Sequence, residues 1–334
     1  MKSLAEVKAD LGVLEQDGEI TVERLASTIS QRAVLVDLRL CGGSRYVSLP
    51  KSKEKVSEES STFLSDHFTN GRFSLLSKET IREFTKIKND TRNALYRASA
   101  IRNGNLIPVD SFRSFKSAFD ENKEKFEALR DDVLSNYDFI KQDFDNKISR
   151  YLAEAYSQKT EDEIARMRKG ILKEIPSKEV FRTDFLFSMK VLVLPSSTGM
   201  IFEEDLQENV MESLRENSLD IVEGAVSKSL SSIFSTIAPF TRDLEFSDGS
   251  IERAIGNIKN VGRGNFLESK KVSGVVENAL KALKNSSRFD IAEKAEKVIA
   301  EIYMYFKEKN NVSFLTIPKY MSKEYLDRLE KVFR

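Results

Sequence analysis

The sequence predicts an α+β fold that is predominantly α, an elongated bundle of long helices with a small β-sheet near one end. The first observation is the stretch Ser111–Ala155, where apolar residues recur at steps of three and four, with one step of seven at Lys123 and without Gly or Pro, as on one helix face. The second is a pair of aliphatic runs, Ala33–Leu40 and Phe185–Leu194, whose composition is typical of strands.

The bulk composition sets the class of the protein. A chain of 334 residues can bury a sizeable core and form about two domains. Charged residues make up 32% of the chain, which suits long solvated helix faces. Lys plus Arg and Asp plus Glu are both 53, so the strongly basic balance of a typical nucleic-acid-binding domain is absent.

The rarest reactive residues limit the possible chemistry. Cys41 is the only cysteine and His67 the only histidine, so neither an intrachain disulfide nor a Cys/His zinc site can form. A Ser-His-Asp triad would have to use His67, which we interpret as a surface or partly buried loop residue. Cys41 precedes Gly42 and Gly43 and is interpreted as a small residue at a strand end.

Segments that would direct the chain to a membrane are not found in the sequence. Met1–Leu4 is followed at once by charged residues, so the apolar core of a signal peptide is lacking. No apolar run reaches about 18 residues, the length that a spanning helix needs. We therefore expect a cytoplasmic location.

The N-terminal part is predicted to contain a helix followed by two strands. Thr21 is the expected cap of a short helix. Ala33–Leu40, a turn at Gly42-Gly43 and Tyr46–Leu49 then predict a strand, a turn and a short second strand. Lys51–Ser61 is predicted to be a charged, Ser-rich loop.

The next predicted helix is marked by its cap. Ser77 is the expected N-cap, with Glu79 in the first turn. Its inner face is predicted to consist of Ile81, Phe84, Ile87, Thr91, Leu95 and Ala98. The helix is expected to stop near residues 102–105, where Gly and Asn favour a positive φ. Residues 106–109 are expected to form a short extended link.

The long helix is the main predicted element. Asp110 is its expected N-cap, and at 1.5 Å per residue the helix would be about 65 Å long, so other helices must run beside it. Its apolar stripe is predicted to comprise Phe112, Phe115, Phe119, Phe126, Leu129, Val133, Tyr137, Ile140, Phe144, Ile148, Tyr151 or Leu152, and Ala155. Helical spacing resumes over Glu161–Ile171. Either two helices meet near residue 159, or one helix continues there with a kink.

The C-terminal half is predicted to be one strand and several helices. Phe185–Leu194 is apolar at nearly every position, so we expect it to be covered on both faces and paired with Ala33–Leu40. Helices are then predicted over Phe202–Ile237, Ser250–Ile258, Val272–Leu283 and Phe289–Phe306, and after a cap at Ser322. The predicted domains are a strand–turn–strand and helix region (1–109), a long helical arm (110–176), and a strand followed by a helical bundle (177–334).

No motif in the chain carries specific chemistry. Gly262-Arg263-Gly264 lacks a preceding strand and a following Lys-Ser/Thr, so it is interpreted as a flexible turn. Basic residues alternate with acids and predict solvated faces. Acidic clusters occur at Glu58-Glu59, Asp131-Asp132, Glu161-Asp162-Glu163 and Glu203-Glu204-Asp205. Interaction with helix N-termini accounts for the last two of these clusters. We therefore assign no catalytic, cofactor-binding or metal residue, and we expect a non-enzymatic protein.

One C-terminal stretch allows two interpretations. Leu219–Phe240 mixes aliphatic residues with many Ala, Ser and Thr, which allow close helix packing and also occur in helices that insert into bilayers. Asp220, Glu223 and Lys228 oppose insertion. The stretch is either a tightly packed bundle helix or a membrane-active or partner-binding segment.

Three stretches together resemble a known family. They are the strand Leu35–Leu40 with its Gly-Gly, the helix Ile81–Tyr96 running into Ile107–Pro108, and the strand Phe185–Leu194 before a helical C-terminal half. This order, over most of residues 33–310, resembles the bacterial family catalogued as domain of unknown function 3150. That family has no assigned catalytic residues. Its members are encoded on phages and mobile elements, near MoxR-type AAA+ ATPases and von Willebrand A-type proteins.

The resemblance implies an accessory partner of an ATPase system. Our leading hypothesis is a non-enzymatic interaction or assembly protein that works with an AAA+ ATPase or with copies of itself. Its expected contact surfaces are the ends of the long helix and the loop Lys51–Ser61. The alternative is a membrane-active effector of the α-helical, pore-forming kind. A second alternative is a metalloenzyme built from bundle carboxylates.

Overall fold

The structure, a computed structural model, confirms the predicted class. It describes residues 10–11, 21–43, 46–48, 56–69, 72–102, 104–192, 204–241, 246–284, 287–322, 324–327 and 331. Among the described residues the fold is mostly helical with two small three-stranded β-sheets, and it is therefore α+β and predominantly α.

The described elements mix strands and helices as far as residue 192 and are helical after it. The strands are β1 (Ala33–Gly42), β2 (Tyr46–Ser48), β3 (Phe68–Thr69), β4 (Arg72–Ser74), β5 (Leu106–Pro108) and β6 (Phe185–Leu192). The helices are α1 (Val22–Arg32), α2 (Glu58–His67), α3 (Lys78–Ala98), α4 (Val109–Ser135), α5 (Tyr137–Ala155), α6 (Glu161–Glu174), α7 (Lys178–Arg182), α8 (Glu204–Ile237), α9 (Asp248–Arg263), α10 (Lys270–Leu283) and α11 (Arg288–Glu308). Two 3₁₀ helices cover Ala238–Thr241 and Val312–Phe314.

The chain forms two compact units. The first unit contains residues 1–36, 96–113 and 191–334, and the second contains residues 37–95 and 114–190. Each unit is discontinuous in sequence. Each therefore depends on contacts between segments that are far apart along the chain.

The predicted pairing of the two aliphatic strands is confirmed. β1 lies between β5 and β6 in a three-stranded sheet. In its antiparallel pairing with β5, Ala33 lies opposite Pro108 and Leu35 opposite Leu106. The expected extended link after α3 is therefore a strand.

The predicted hairpin between β1 and β2 is wrong. β2 belongs to a second sheet with the order β2–β4–β3, in which Val47 lies opposite Phe73. The chain leaves β1 at Gly43, which has φ +61° and whose N–H donates to the Asp184 carbonyl at 3.2 Å. A Cβ at Gly43 would lie 2.2 Å from the Phe185 ring, so a side chain cannot occupy this position without a shift.

The long predicted helix is two helices with one residue between them. α4 and α5 are separated by Asn136, whose backbone has φ −92° and ψ 9°. The buried stripe continues across the break, since Val133 and Tyr137 are both buried. The next break is also real, because α5 ends at Ala155 and α6 starts at Glu161, so two helices meet near residue 159.

Three of the four predicted helix caps are confirmed. The hydroxyls of Thr21, Ser77 and Ser322 each accept a backbone N–H from the residue three positions later, at 3.2–3.3 Å. Asp110 is not a cap, because α4 already begins at Val109, directly after β5. The carboxylate of Asp110 therefore lies in the first turn of the helix.

The core of the second unit is aromatic. The Phe126 ring lies 5.1 Å from the Phe84 ring and 4.9 Å from the Phe187 ring, measured between centroids. Phe84 is on the predicted inner face of α3, and Phe126 is on the predicted stripe of α4. Helix periodicity therefore located the two faces that meet in this core.

The core of the first unit is a helical bundle around α8. Leu230, Ile233 and Phe234 of α8 are fully buried in a cluster with residues of α9, α10 and α11. In this structure, Leu219–Phe240 is thus a packed bundle helix followed by a 3₁₀ turn. α9 is longer than the predicted Ser250–Ile258, and Gly262 lies in its last turn rather than in a flexible loop.

Two further expectations, one on exposure and one on loop structure, are wrong. β6 is not covered on both faces, because Phe185 and Phe187 are buried while Leu186 between them is exposed, so one face of the strand is packed and the other faces solvent. The predicted loop Lys51–Ser61 ends in the first turn of α2, while residues 51–55 lie outside the described part of the chain.

Candidate functional site

His67 is a core residue rather than a surface or loop residue. It is the last residue of α2, 7% exposed, and its ring lies 5.2 Å from the Phe63 ring. Nδ1 is 2.9 Å from the Ser74 carbonyl oxygen. Since a carbonyl only accepts, Nδ1 carries the proton. Burial lowers the pKa of this imidazole, and its place in the core indicates a structural role.

The acidic clusters do not converge on a site. Glu58 and Glu59 lie in the first turn of α2, and Glu161–Glu163 form the first turn of α6, as helix-start electrostatics predicts. The carboxylate of Asp131 pairs with Arg130 at 2.9 Å. Glu203 lies outside the described residues. Within the described ranges, no group of three or more His, Cys, Asp or Glu residues is placed to hold a metal ion.

Two of the basic residues on the helix faces pair with carboxylates. Arg168 binds the Asp145 carboxylate through two N–H groups, at 2.6 and 2.7 Å. Lys281 pairs with Glu277 at 2.6 Å. These are ordinary solvated ion pairs, as expected.

Two cavities in the first unit are better candidates. The first, which we call the apolar groove, has a volume of about 560 Å³ and lies beside α1 and α8. Its apolar walls are formed by Ala26, Ile29, Leu35, Ile101, Leu214, Ile221 and Phe314. Ala26 of α1 and Gly224 of α8 have small side chains or none, so these two positions leave space in the groove. A Cβ at Gly224 would lie 3.1 Å from the Ile101 side chain.

The exposed polar residues that line the apolar groove form its rim. Arg102 donates to the Phe314 carbonyl at 3.0 Å, and its guanidinium lies 5.3 Å above the Phe314 ring. Asn217 and Asp220 are the other exposed polar lining residues. The rim therefore carries one positive charge, one negative charge and an amide, which can orient an apolar guest.

The second cavity, which we call the polar cavity, has a volume of about 330 Å³ and contains Lys228 of α8. Its ammonium donates to the Tyr96 carbonyl at 2.6 Å and to the Ser99 carbonyl. These carbonyls lie at the C-terminal end of α3, where a cation is favourable. Burial lowers the pKa of Lys228 to about 8.

Sequence reasoning missed both cavities. Lys228 is the only basic residue of Leu219–Phe240, and its position between two serines was a local signal. The apolar groove has no local signal, because Ile29, Ile101 and Phe314 come from distant parts of the chain.

Comparisons with known proteins give no match. No family model, no curated protein and no solved structure matches this chain. The resemblance to domain of unknown function 3150 therefore stays a prediction. Within the described part of the chain, no helix combines the length and apolarity needed to cross a membrane.

Proposed function

We propose that this chain is a non-enzymatic interaction protein whose apolar groove receives an apolar helical segment of a protein partner. The observation that carries the proposal is the groove itself, about 560 Å³ of space with aliphatic and aromatic walls and a polar rim. Concave apolar surfaces with a few oriented polar groups are typical of binding sites. Covering such a surface contributes about 25 cal/mol per Å² of apolar area removed from water.

The rim favours a protein segment over a simple amphiphile. A fatty acid would place its carboxylate near Arg102, but the same carboxylate would meet the charge of Asp220 on the same rim. A partner helix with large apolar residues three and four positions apart, flanked by one acid and one base, complements both charges. This charge complementarity leads us to choose a protein as the occupant.

The family resemblance supplies the first partner to test. It points to a MoxR-type AAA+ ATPase, with a von Willebrand A-type protein in the same system on a phage or mobile element. Self-assembly is the other form of the hypothesis, in which the guest segment comes from a second copy. The cytoplasmic location expected from the sequence belongs to the same proposal.

The test compares a groove variant with a matched surface variant. Leu214→Glu places a carboxylate on the apolar wall, which we expect to weaken partner binding at least about tenfold, because a charge would be buried without a partner. Phe289→Glu makes a similar change at an exposed residue that does not line the groove, and it should leave binding unchanged. Light scattering of the purified chain, alone and with a purified MoxR-type ATPase, gives the complex mass and its concentration dependence.

Two outcomes would contradict the proposal. The first is equal binding by the Leu214→Glu and Phe289→Glu variants. The second is a small amphiphile that copurifies with the native chain in mass spectrometry and is lost in Leu214→Glu. The groove would then be a small-molecule site.

A further inference from the structure

Lys228 is a partly buried cation whose partners in the described part of the chain carry no full charge. An ammonium has three N–H donors, and two of these reach the carbonyls of Tyr96 and Ser99. Burial is the cause that lowers its pKa, and among the described residues no carboxylate offsets that effect. Withdrawing a cation from water without a counter-ion costs free energy that carbonyl dipoles offset only in part.

The polar cavity around Lys228 has the composition of an anion site. Its described lining contains no acidic residue, while Arg97 adds a second cation. Hydroxyl and amide groups from three helices complete the wall, namely those of Ser111, Ser229, Ser232, Thr236, Asn257 and Asn260. Such groups donate to phosphate oxygens and exchange hydrogen bonds with sugar or polyol hydroxyls.

The size of the polar cavity limits the ligand. About 330 Å³ is at the lower end of the range for small-molecule sites, which is roughly 300–1,000 Å³. A phosphate with a short hydroxylated body fits that volume, whereas a dinucleotide is much larger. The apolar groove shares none of these lining residues, so the two sites are distinct.

We propose that the polar cavity binds a phosphate monoester of a small hydroxylated molecule, with the phosphate paired to Lys228 and the hydroxyls bound by the surrounding serines and asparagines. The ligand supplies the counter-ion that the described residues do not give to Lys228. The same chemistry exists in a free sugar or polyol phosphate and in the headgroup of phosphatidic acid. The experiment below separates these two sources.

The main variant adds a negative charge to the polar cavity and keeps Lys228. Ser232 is exposed and lines the polar cavity, so Ser232→Asp places a competing carboxylate there without disturbing the core. Ser235→Asp is the matched control, because it adds the same charge to the same helix at an exposed residue outside the lining. Lys228→Met removes the cation itself, and circular dichroism checks that this variant still folds.

The probes are glycerol 3-phosphate, glycerol and phosphatidic-acid vesicles. By calorimetry, we expect the wild-type chain and Ser235→Asp to bind glycerol 3-phosphate and not glycerol. We expect Ser232→Asp and folded Lys228→Met to lose at least about tenfold in affinity, as for loss of a charged hydrogen bond. Sedimentation with vesicles that is lost in Ser232→Asp, without binding of the free ester, assigns the same site to the lipid headgroup.

The proposal would be overturned by wild-type protein that binds neither the free ester nor the vesicles. Equal loss of affinity in Ser232→Asp and Ser235→Asp would overturn it too, because the effect would then be one of overall charge. Binding of glycerol as tight as that of its phosphate would contradict the role of Lys228.

Discussion

At the scale of single residues, the protonation state of the His67 imidazole is linked to the stability of the second unit. Its Nδ1 proton is bound by the Ser74 carbonyl, and the ring is enclosed by Phe63 and Phe144. A second proton at Nε2 would place a charge among aromatic rings. Lys147 also disfavours that charge, while Asp66 and Asp143 favour it, and burial is the largest effect on the pKa.

The first prediction concerns pH. The folded-state pKa of His67 lies below the ordinary value of 6.5, so the unfolded chain binds a proton that the folded chain does not. Stability is therefore full above about pH 6.5 and falls as pH falls from there toward the folded-state pKa, with a limiting slope of about 1.4 kcal/mol per pH unit. Urea unfolding of the wild-type chain and of His67→Gln between about pH 7.5 and pH 5 measures the difference.

The His67→Gln variant is the control for the pH dependence that the other titrating groups contribute. His67→Gln lacks the imidazole, so its stability should change less over this pH range, although it is less stable at neutral pH. The same pH dependence in both proteins would show that His67 does not titrate in the way the buried ring requires.

At the scale of secondary-structure elements, the start of α6 is held by a capping box. The Thr160 hydroxyl accepts the Glu163 N–H at 3.3 Å, and the Glu163 carboxylate accepts the Thr160 N–H at 3.0 Å. The hydrogen bond from the Thr160 backbone lowers the pKa of Glu163. These reciprocal bonds separate α5 from α6 where the apolar periodicity alone shows only a weak break.

The second prediction is that Thr160→Ala destabilises the start of α6. Loss of the N-cap should cost about 1 kcal/mol and increase hydrogen exchange in the first turn of α6. Thr85→Ala is the control, because Thr85 is exposed in the middle of α3 and its hydroxyl only donates to the Ile81 carbonyl. Equal effects of the two variants on thermal unfolding, with no local change in exchange, would contradict the capping role.

Elements were predictable where the determining pattern is local. The caps at Thr21, Ser77 and Ser322 and the inner face of α3 follow from residues within a few positions of each other. The Thr160–Glu163 pair likewise forms a local Thr-x-x-Glu signature in the sequence. The break at Asn136 has no such signature, because the apolar spacing continues through it.

At the scale of the whole molecule, the arrangement of the elements depends on distant contacts. β2 pairs with β4 instead of β1 because the chain turns away at Gly43, where the N–H bonds to Asp184 far along the sequence. The exposure of Leu186 likewise depends on which face of β6 is covered by other elements. Neither fact can be derived from a window of neighbouring residues.

The candidate sites belong to this largest scale as well. The apolar groove joins residues separated by more than two hundred positions, such as Ile29 and Phe314. Lys228 is conspicuous in the sequence, but its lack of a carboxylate partner among the described residues depends on which elements surround it. The fold class was therefore predictable from the sequence, whereas the two cavities could be located only from the three-dimensional arrangement of the first unit.

The central claim is that a protein partner binds in the apolar groove. Isoleucine-methyl NMR tests it most directly, because the partly exposed Ile101 and Ile221 line the groove, whereas Ile148 and Ile299 are buried in the cores. On titration with the purified partner, we predict that the two groove methyl signals shift together while the two core signals stay in place. A complex that forms while the groove signals remain unchanged would contradict the claim.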